Sequence, residues 1–389
     1  MMDRFVGTAM LLGLLLVISY FALAHPLYTW DLVPYVAATL SAQISEPVAL
    51  HSATYQLLQN SLSEPEFNGL ITGPYAVDLW QNSEHFASQL NLYYVKPLYV
   101  AVLQAALLIG VNPITAIMGL SLLSGLLICG LMFHWLKSYT TTISAAALVI
   151  LFALIARLID LSRVPTPDNF SALAVLASIY LLLVKRWLFT AVTLLSVSVL
   201  IRTNNMVFVG LVLASVLWSR YCITRNLGDS QFKTAAMGML FSVSVYLLTN
   251  AVFDYQWWRL FYHTFVESQV SIDSFAVAFS LNTYIAVLKT ALQQLIAPGA
   301  FIASALPVFL LLIILSLRKT LPQTLASLAA PTEDLNLQQV ALLCVPVFVT
   351  VLLLFPLASG WDRFFTAQYA LILIYAVTQW RNRHCDTEA

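Results

Sequence analysis

Two aspartates lie close to the ends of long apolar segments, where a carboxylate could do acid–base chemistry. The first, Asp31, follows the first apolar segment and stands among aromatic residues in the stretch 28–35. A carboxylate held between aromatic rings at a membrane face is partly desolvated, which favours proton uptake and suits a general base acting on a hydroxyl group. The alternative interpretation is that Asp31 only caps the helix predicted to begin near Leu32.

The second aspartate, Asp168, ends a short polar joint at 162–168 that contains Pro165 and Pro167. The prolines stiffen this joint, and Asp168 falls at the predicted N-cap of the next apolar segment. Helix capping would explain Asp168 without any catalytic role. A catalytic interpretation gains weight if both carboxylates, coming from different loops, lie on the same face of the protein.

Three cations could bind a phosphate group on the face of the protein that would carry the two carboxylates. Lys96, Arg202 and Arg363 each stand next to the apolar end of a predicted helix, and such cations suit a lipid-linked phosphate. The alternative is that their long side chains only snorkel to the lipid headgroups. That alternative is weaker on the outer face of a membrane, where cations are usually avoided.

Other kinds of catalytic chemistry have no visible motif. The sequence contains no phosphate-binding glycine loop, HExxH pattern or GxSxG pattern, so no nucleotide, zinc-protease or serine-hydrolase site is predicted. The six histidines have no ligand spacing, and the four cysteines form no CxxC pair. No motif predicts a cofactor, and a divalent metal held by Asp31 and Asp168 is left open.

The elements that must position these residues are membrane helices. Of the 389 residues, 60% are hydrophobic and 9% are charged, and the mean hydropathy is +0.84. A soluble domain carries about 25% charged residues. Apolar stretches of about twenty residues predict transmembrane helices, because lipid satisfies no backbone hydrogen bond. A net charge of zero without a basic run gives no support for nucleic-acid binding.

These stretches predict an all-α polytopic membrane protein with about ten transmembrane helices. The predicted spans are 5–24, 114–135, 142–159, 169–184, 187–201, 204–220, 234–253, 299–317, 338–357 and 364–380. Two further stretches, 98–111 and 281–297, are too short or too polar to span comfortably. We expect them to form helices that lie at the membrane surface or are partly inserted.

The distribution of basic residues predicts how the helices are oriented. With the N-terminus inside, most of the 18 basic residues fall in inside joints, as the positive-inside rule expects. Counting 98–111 as a span would place Lys137, Lys185 and Arg186 outside, against that rule. Both termini are therefore predicted to be cytoplasmic, and the first span is predicted to be a retained anchor rather than a cleaved signal peptide.

Two segments are predicted to lie outside. The larger, 25–113, joins the first two spans and mixes aromatic, acidic and apolar residues, which is typical of short amphipathic helices at the headgroup level. The second, 254–298, follows Phe253 and opens with aromatic residues. We expect a single transmembrane domain over 1–389 that includes both external segments, and no separate soluble domain.

In this layout the chain resembles the GT-C superfamily of membrane glycosyltransferases, which use sugars linked to a lipid phosphate. The superfamily includes the protein O-mannosyltransferases, the aminoarabinose transferases of lipid A and the oligosaccharyltransferases. Its members have a first span, a large external loop with an early aspartate, juxtamembrane helices and a second external loop with another acidic residue. Trp30-Asp31 stands where that early aspartate stands.

Further short motifs resemble the aminoarabinose-transferase branch. The stretch 94–98 is similar to its Lys-Pro-Pro-Leu element, with leucine in place of the second proline and Tyr94 where the branch has an acidic residue. The stretch 110–113 is similar to its Gly-x-Asn turn, and 163–168 is similar to its external Arg…Pro-Asp element. Arg363 resembles the Arg-aromatic start of a late span.

The resemblance implies an inverting transfer of a sugar from a polyprenyl-phosphate donor on the outer face. Asp31 would remove the proton from a hydroxyl or amine of an acceptor, which is a lipid, a glycan or a protein. Asp168 would orient the acceptor or the neighbours of Asp31. Lys96, Arg202 and Arg363 would hold the departing phosphate, and an apolar groove between the surface helices would take the prenyl chain.

Two other classes of function stay open from the sequence. A transporter or lipid flippase tends to carry ionisable residues and helix breaks near the middle of the membrane, whereas the strongest charges of this chain are predicted at one face. A non-catalytic assembly protein could keep the same fold. The compact loops favour a bacterial inner membrane, with the active site on the periplasmic side.

Overall fold

The computed structural model describes residues 1–297, 305–317, 335–356 and 362–385. The structure is 79% helical, and no strand occurs among the described residues. The predicted all-α class is therefore confirmed.

The chain begins with a long helix, α1 (Met2–Ala24), and continues through seven shorter ones. These are α2 (Leu32–Leu40), α3 (Pro47–Ser61), α4 (Glu64–Leu70), α5 (Pro74–Gln81), α6 (Ser83–Gln89), α7 (Asn91–Tyr94) and α8 (Pro97–Leu108). Proline stands in the first turn of α3, α4, α5 and α8, where its missing N–H leaves no hydrogen bond unmade. The predicted surface stretch 98–111 forms α8.

Helix α2 is the buried centre of the segment 25–113. All of its residues from Leu32 to Leu40 are buried, and it packs against α3, α8 and the next long helix. The ring of Tyr35 meets the rings of Tyr93 and Tyr99 at centroid distances of 5.1 and 5.0 Å. Because α2 carries Asp31 at its start, this packing fixes where Asp31 lies.

Seven helices form the centre of the chain. They are α9 (Pro113–Leu136), α10 (Thr142–Ile155), α11 (Leu158–Leu161), α12 (Asp168–Tyr180, continued by a π-helical turn Leu181–Lys185), α13 (Leu188–Ile201), α14 (Asn205–Thr224) and α15 (Ser230–Val252). The side chains of Asn112, Thr141 and Asp229 accept backbone hydrogen bonds at the starts of α9, α10 and α15. Such caps are readable from sequence.

Five further helices follow in the described part of the C-terminal region. They are α16 (Trp257–Phe265), α17 (Leu281–Ile296), α18 (Leu306–Leu317), α19 (Leu337–Leu354) and α20 (Asp362–Cys385). The predicted surface stretch 281–297 forms α17. Residues 299–304 of one predicted span lie outside the described residues.

Six of the described helices are long and apolar enough to cross a membrane: α1, α9, α12 with its π-helical turn, α14, α15 and α19. The apolar helices α8, α10, α13 and α18 are shorter. Large apolar side chains point outward, with Leu16 of α1 71% exposed and Leu240 of α15 68% exposed. Such surfaces suit contact with lipid, and the structure is that of a polytopic membrane protein.

Helix α20 lies at the centre of the main core. Its residues Phe365, Tyr369 and Ile372 are fully buried, and it packs against α12, α18 and α19. The ring of Tyr369 stacks on Phe309 of α18 at 4.2 Å. This packing holds the first turn of α20, with Arg363, next to the first turn of α12.

Candidate active site

The five charged residues predicted from the sequence lie together at one end of the helix bundle, and we call them the charge cluster. Asp31 precedes α2, Lys96 precedes α8, Asp168 begins α12, Arg202 follows α13, and Arg363 is in the first turn of α20. Each one stands at a helix end, so its backbone is held by a helix while its side chain is free to turn towards the others.

Asp168 is positioned by the loop 162–168, which is attached to α9. Asn169 donates from Nδ2 to the carbonyl of Ser121 (3.2 Å) and to Oγ of Ser162 (3.2 Å). Gly125 permits this close approach, since a Cβ at that position would collide with the Ser162 hydroxyl. The joint is thereby held against α9, and the start of α12 is held with it.

The carboxylate of Asp168 is buried, with 1% of its side chain exposed, and it forms an ion pair with Arg202, which is 15% exposed. Pro167 rather than Asp168 stands at the N-cap of α12, and neither carboxylate oxygen of Asp168 makes a hydrogen bond within the described residues, so the capping interpretation is wrong for this residue. A buried carboxylate requires a paired cation, and Arg202 provides it. Snorkelling does not describe Arg202 either, because its guanidinium is directed into the charge cluster.

Arg363 reaches both carboxylates. Its Nη1 lies 3.6 Å from Oδ2 of Asp31, and its Nε lies 3.8 Å from Oδ2 of Asp168. The ring of Phe364, the next residue, lies 5.0 Å from the Arg363 guanidinium and 4.4 Å from that of Arg202. This shared cation–π contact orients two like charges side by side without pairing them to each other.

Asp31 is the accessible carboxylate of the charge cluster, since 28% of its side chain is exposed. It stands at the N-cap position of α2 but makes no side-chain capping hydrogen bond, so capping does not explain Asp31. Its Oδ1 instead accepts a hydrogen bond from the hydroxyl of Tyr93, at 3.3 Å. An exposed carboxylate beside cations and a phenol can accept a proton from a bound substrate.

Lys96 is surrounded by aromatic rings rather than by carboxylates. Its Nζ donates to the carbonyl of Leu92 (3.3 Å) and lies 4.9 Å from the ring centre of Tyr93 and 5.3 Å from that of Tyr35. Burial lowers the pKa of Lys96 to about 7, with the positive charge of Arg202 acting in the same direction. An anionic ligand would stabilise the charged form of this lysine.

A small cavity extends from the charge cluster into the bundle. Its walls include Asp168, Arg202 and Arg363 together with the amide side chains of Asn205 and Gln368. Asn205 donates from Nδ2 to a serine hydroxyl at 2.8 Å. Sequence reasoning did not single out the two amides or the role of Tyr93. Asn205 and Gln368 could have been selected as amides inside apolar helices. Tyr93 is one of 17 tyrosines, and nothing in the sequence distinguishes it.

The charge cluster does not fit a divalent cation. A metal between Asp31 and Asp168 would need the space that the guanidinium of Arg363 takes, since Arg363 reaches both carboxylates. Across the described ranges, no group of three or more His, Cys, Asp or Glu side chains is arranged to hold a metal ion. The two carboxylates are neutralised by arginines, and no catalytic step is assigned to a metal.

Part of the segment 254–298 packs against the segment 25–113. Gln89 of α6 donates from Nε2 to the carbonyls of Gln269 and Val270, both at 3.0 Å, and Ser88 accepts from the backbone N–H of Ile272 at 3.1 Å. These bonds attach the loop 266–272 to α6. Two stretches far apart in sequence are therefore held together by hydrogen bonds.

Comparisons with known proteins do not assign a family. The chain matches no protein-family model, no curated protein and no solved structure. The features that bear on function are therefore the geometry and charge of the cluster and the order of the sequence motifs.

Proposed function

We propose that this protein is a membrane glycosyltransferase of GT-C-like architecture. It transfers a sugar from a polyprenyl-phosphate donor to an acceptor on the outer, periplasmic face, with inversion at the anomeric carbon. The observation that carries the proposal is the convergence of five helix ends, which brings one exposed carboxylate, one buried carboxylate and three cations together. Acid–base chemistry next to a phosphate leaving group needs this combination.

In the proposed step Asp31 accepts the proton of the acceptor hydroxyl or amine. The freed lone pair forms a bond to the anomeric carbon of the donor sugar while the bond from that carbon to the phosphate oxygen breaks. The polyprenyl phosphate leaves with the bonding electrons, and its added negative charge is stabilised by the cations of the charge cluster. The exposure of Asp31 supports its assignment as the base, because Asp168 has no access to an incoming acceptor.

The three cations contribute differently to this step. Lys96 and Arg363 are the candidates for direct contact with the phosphate, since neither is enclosed in a close ion pair. Arg202 is paired with the buried Asp168. It contributes positive charge to the cluster without contacting the phosphate directly. Asp168 is a positioning residue, because it orients Arg202 and Arg363 and through Arg363 the neighbourhood of Asp31.

The membrane arrangement is part of the same proposal. Ten spans cross a bacterial inner membrane with both termini in the cytoplasm, and the external segments 25–113 and 254–298 lie at the periplasmic surface. The exposed apolar residues of the long helices support contact with lipid. The prenyl chain lies in an apolar groove between the surface helices, so that the phosphate reaches the charge cluster from the lipid.

The test compares wild type with Asp31→Asn in detergent, using radiolabelled polyprenyl-phosphate sugars as donors and co-purified material or hydroxyl compounds as acceptors. Wild type releases or transfers sugar, and Asp31→Asn is slower by about 100-fold or more, the contribution of a general base. The matched control is Asp160→Asn, which removes a carboxylate from an exposed ion pair with Arg157 and Arg163 and leaves turnover unchanged.

Each other outcome points elsewhere. Equal turnover by wild type and Asp31→Asn removes Asp31 from the mechanism. If wild type neither binds nor turns over any donor in the panel, the glycosyltransferase proposal is wrong. Movement of the lipid between leaflets of a proteoliposome, with no sugar transfer, would identify the protein as a flippase. Binding that leads to neither reaction would favour an assembly protein.

A further inference from the structure

Three ring side chains form a corner beside Asp31, and the proposed transfer step does not use them. Trp30 directly precedes Asp31, and its ring meets the edge of Tyr75 at a centroid distance of 5.7 Å and an angle of 68°. On its other side Tyr75 meets His263 of α16 at 5.4 Å and 62°. We call Trp30, Tyr75 and His263 the aromatic corner; all three are partly exposed.

Within the described part of the chain, each ring of the aromatic corner has one donor group without a hydrogen-bond partner. The indole N–H of Trp30 and the hydroxyl of Tyr75 make no hydrogen bond within the described part of the chain. His263 accepts the backbone N–H of Gln269 at its Nδ1, at 2.9 Å, which assigns the proton of the neutral ring to Nε2. That Nε2–H is likewise without a partner in the described ranges. The corner therefore offers three unused donors, each at the edge of an aromatic ring.

An orphaned hydroxyl lies behind the corner. Tyr55 is 5% exposed, and its buried hydroxyl has no hydrogen-bond partner among the residues that the structure describes. Burial raises the pKa of Tyr55, and the neighbouring Tyr75 raises it further. A buried hydroxyl without a partner is rare in native proteins. The unsatisfied hydroxyl adds a polar group next to Tyr75 of the corner.

The aromatic corner is adjacent to Asp31 both in sequence, through Trp30, and in space, through Tyr75. Burial raises the pKa of Tyr75, and the negative charge of Asp31 raises it further. The loop 266–272 that is attached to α6 holds His263 in place through Gln269. The corner is thus a preformed surface next to the proposed base.

We infer that the aromatic corner is a subsite for a saccharide ring beside Asp31. A sugar has apolar C–H faces that pack on aromatic rings, and hydroxyl groups at its rim that require donors and acceptors, which matches rings with unused polar tips. The inference rests on the proposed function for its ligand class. The ring belongs either to the glycosyl group of the donor or to a sugar acceptor, and both present the same chemistry to the corner.

The test measures equilibrium binding to the full-length protein in detergent with three kinds of probe. They are undecaprenyl phosphate, its glucosyl, mannosyl and aminoarabinosyl derivatives, and the water-soluble methyl glycosides of the same sugars. The variants are Tyr75→Phe, which keeps the ring and removes the hydroxyl, and Trp30→Phe, which removes the indole N–H. Trp80→Phe is the matched control, because Trp80 lies on α5 together with Tyr75 and its side chain is exposed.

We expect Tyr75→Phe and Trp30→Phe to weaken binding of a glycosylated probe by about 3- to 10-fold, the loss of one hydrogen bond. Binding of undecaprenyl phosphate stays unchanged in both variants, which also shows that they are folded. Trp80→Phe binds all probes like wild type. A loss confined to the glycosylated lipid assigns the corner to the donor sugar, and a loss confined to the methyl glycosides assigns it to the acceptor.

Two results would overturn the inference. One is that wild type binds the glycosylated and the bare lipid equally and binds no methyl glycoside. The other is that neither variant changes the affinity for any sugar. The proposed function fails separately: sugar binding that depends on the corner, without any transfer that depends on Asp31, would leave a saccharide subsite on a protein that is not a transferase.

Discussion

Arg363 Nη1 lies 3.6 Å from Oδ2 of Asp31, which joins the first turn of α20 to the residue that precedes α2. The same guanidinium lies 3.8 Å from Asp168. One side chain from near the C-terminal end of the described chain therefore sets the spacing of two carboxylates from the N-terminal half. The geometry of the charge cluster is most sensitive to this residue.

Arg363→Gln is expected to lower the rate of sugar transfer by about 100- to 1000-fold, because a donor that stabilises the developing charge is removed. Arg363→Lys is expected to be intermediate, since an ammonium keeps the charge but lacks the planar fork that reaches two carboxylates. The measurement is kcat and KM with a polyprenyl-phosphate sugar. Turnover of Arg363→Lys equal to that of wild type would contradict a role that depends on the fork.

The ion pair of Asp168 and Arg202 is expected to be a major contributor to stability. Asp168→Ala leaves the guanidinium of Arg202 largely buried without its partner, at a cost of about 3–5 kcal/mol. Thermal unfolding in detergent measures the loss. The matched control, Asp160→Ala, breaks an exposed ion pair and is expected to cost about 1 kcal/mol or less.

A double-mutant cycle separates the pair from its surroundings. The variant Asp168→Ala with Arg202→Ala is expected to be less destabilised than the sum of the two single variants, because neither charge is left alone. Additive losses would show that the two side chains do not stabilise each other, and the ion pair would then not be the reason for their burial.

Tyr93→Phe is expected to slow transfer by about 3- to 10-fold, because Asp31 loses the hydrogen bond that orients it. The aromatic face against Lys96 is kept, so KM for the donor is expected to stay near its wild-type value while kcat falls. The matched control is Tyr94→Phe, since Tyr94 follows Tyr93 in α7 and stacks on Phe253. A rise in KM without a fall in kcat would assign Tyr93 to donor binding instead.

Donor binding is expected to weaken as the pH rises through about 7. The pKa of Lys96 is lowered from 10.5 to about 7, chiefly by burial, so the lysine is charged below that pH and neutral above it. An anionic phosphodiester binds better to the charged form and raises the lysine pKa when bound. The midpoint for the complex therefore lies above that of the free protein.

Binding of a polyprenyl-phosphate sugar as a function of pH measures this effect, and a phosphodiester is used because its own charge is constant over the range. Lys96→Arg is expected to flatten the profile, since arginine stays protonated. Lys96→Gln is expected to flatten it at a lower affinity. A profile in Lys96→Arg that still falls near pH 7 would assign the titration to another group.

The helices themselves were largely predictable. The stretches 98–111 and 281–297, predicted as helices that lie at the membrane surface or are partly inserted, are helical as α8 and α17, and the caps at Asn112 and Asp229 are typical sequence signals. Helix formation depends on neighbours within one or two turns and on the spacing of apolar residues, so local sequence carries the information. The length of a helix was less predictable: α10 ends at Ile155, although the predicted span runs to 159.

The charge cluster was predictable as five separate residues and not as a site. Charged side chains at the ends of apolar segments stand out in a chain with 9% charged residues, so Asp31 and Arg363 could each be selected. Their contact could not, because it depends on how α20 packs against α12 and on how α2 is buried among its neighbours.

The all-helical class, the apolar character and the positions of the ionisable residues follow from local composition and periodicity, and they can be read from the amino-acid sequence. Helix packing is what pairs Asp168 with Arg202, brings Tyr93 to donate to Asp31, and makes Trp30, Tyr75 and His263 meet. These contacts join residues far apart in the chain. Their free energy depends on burial and distance, which exist only after the helices have packed.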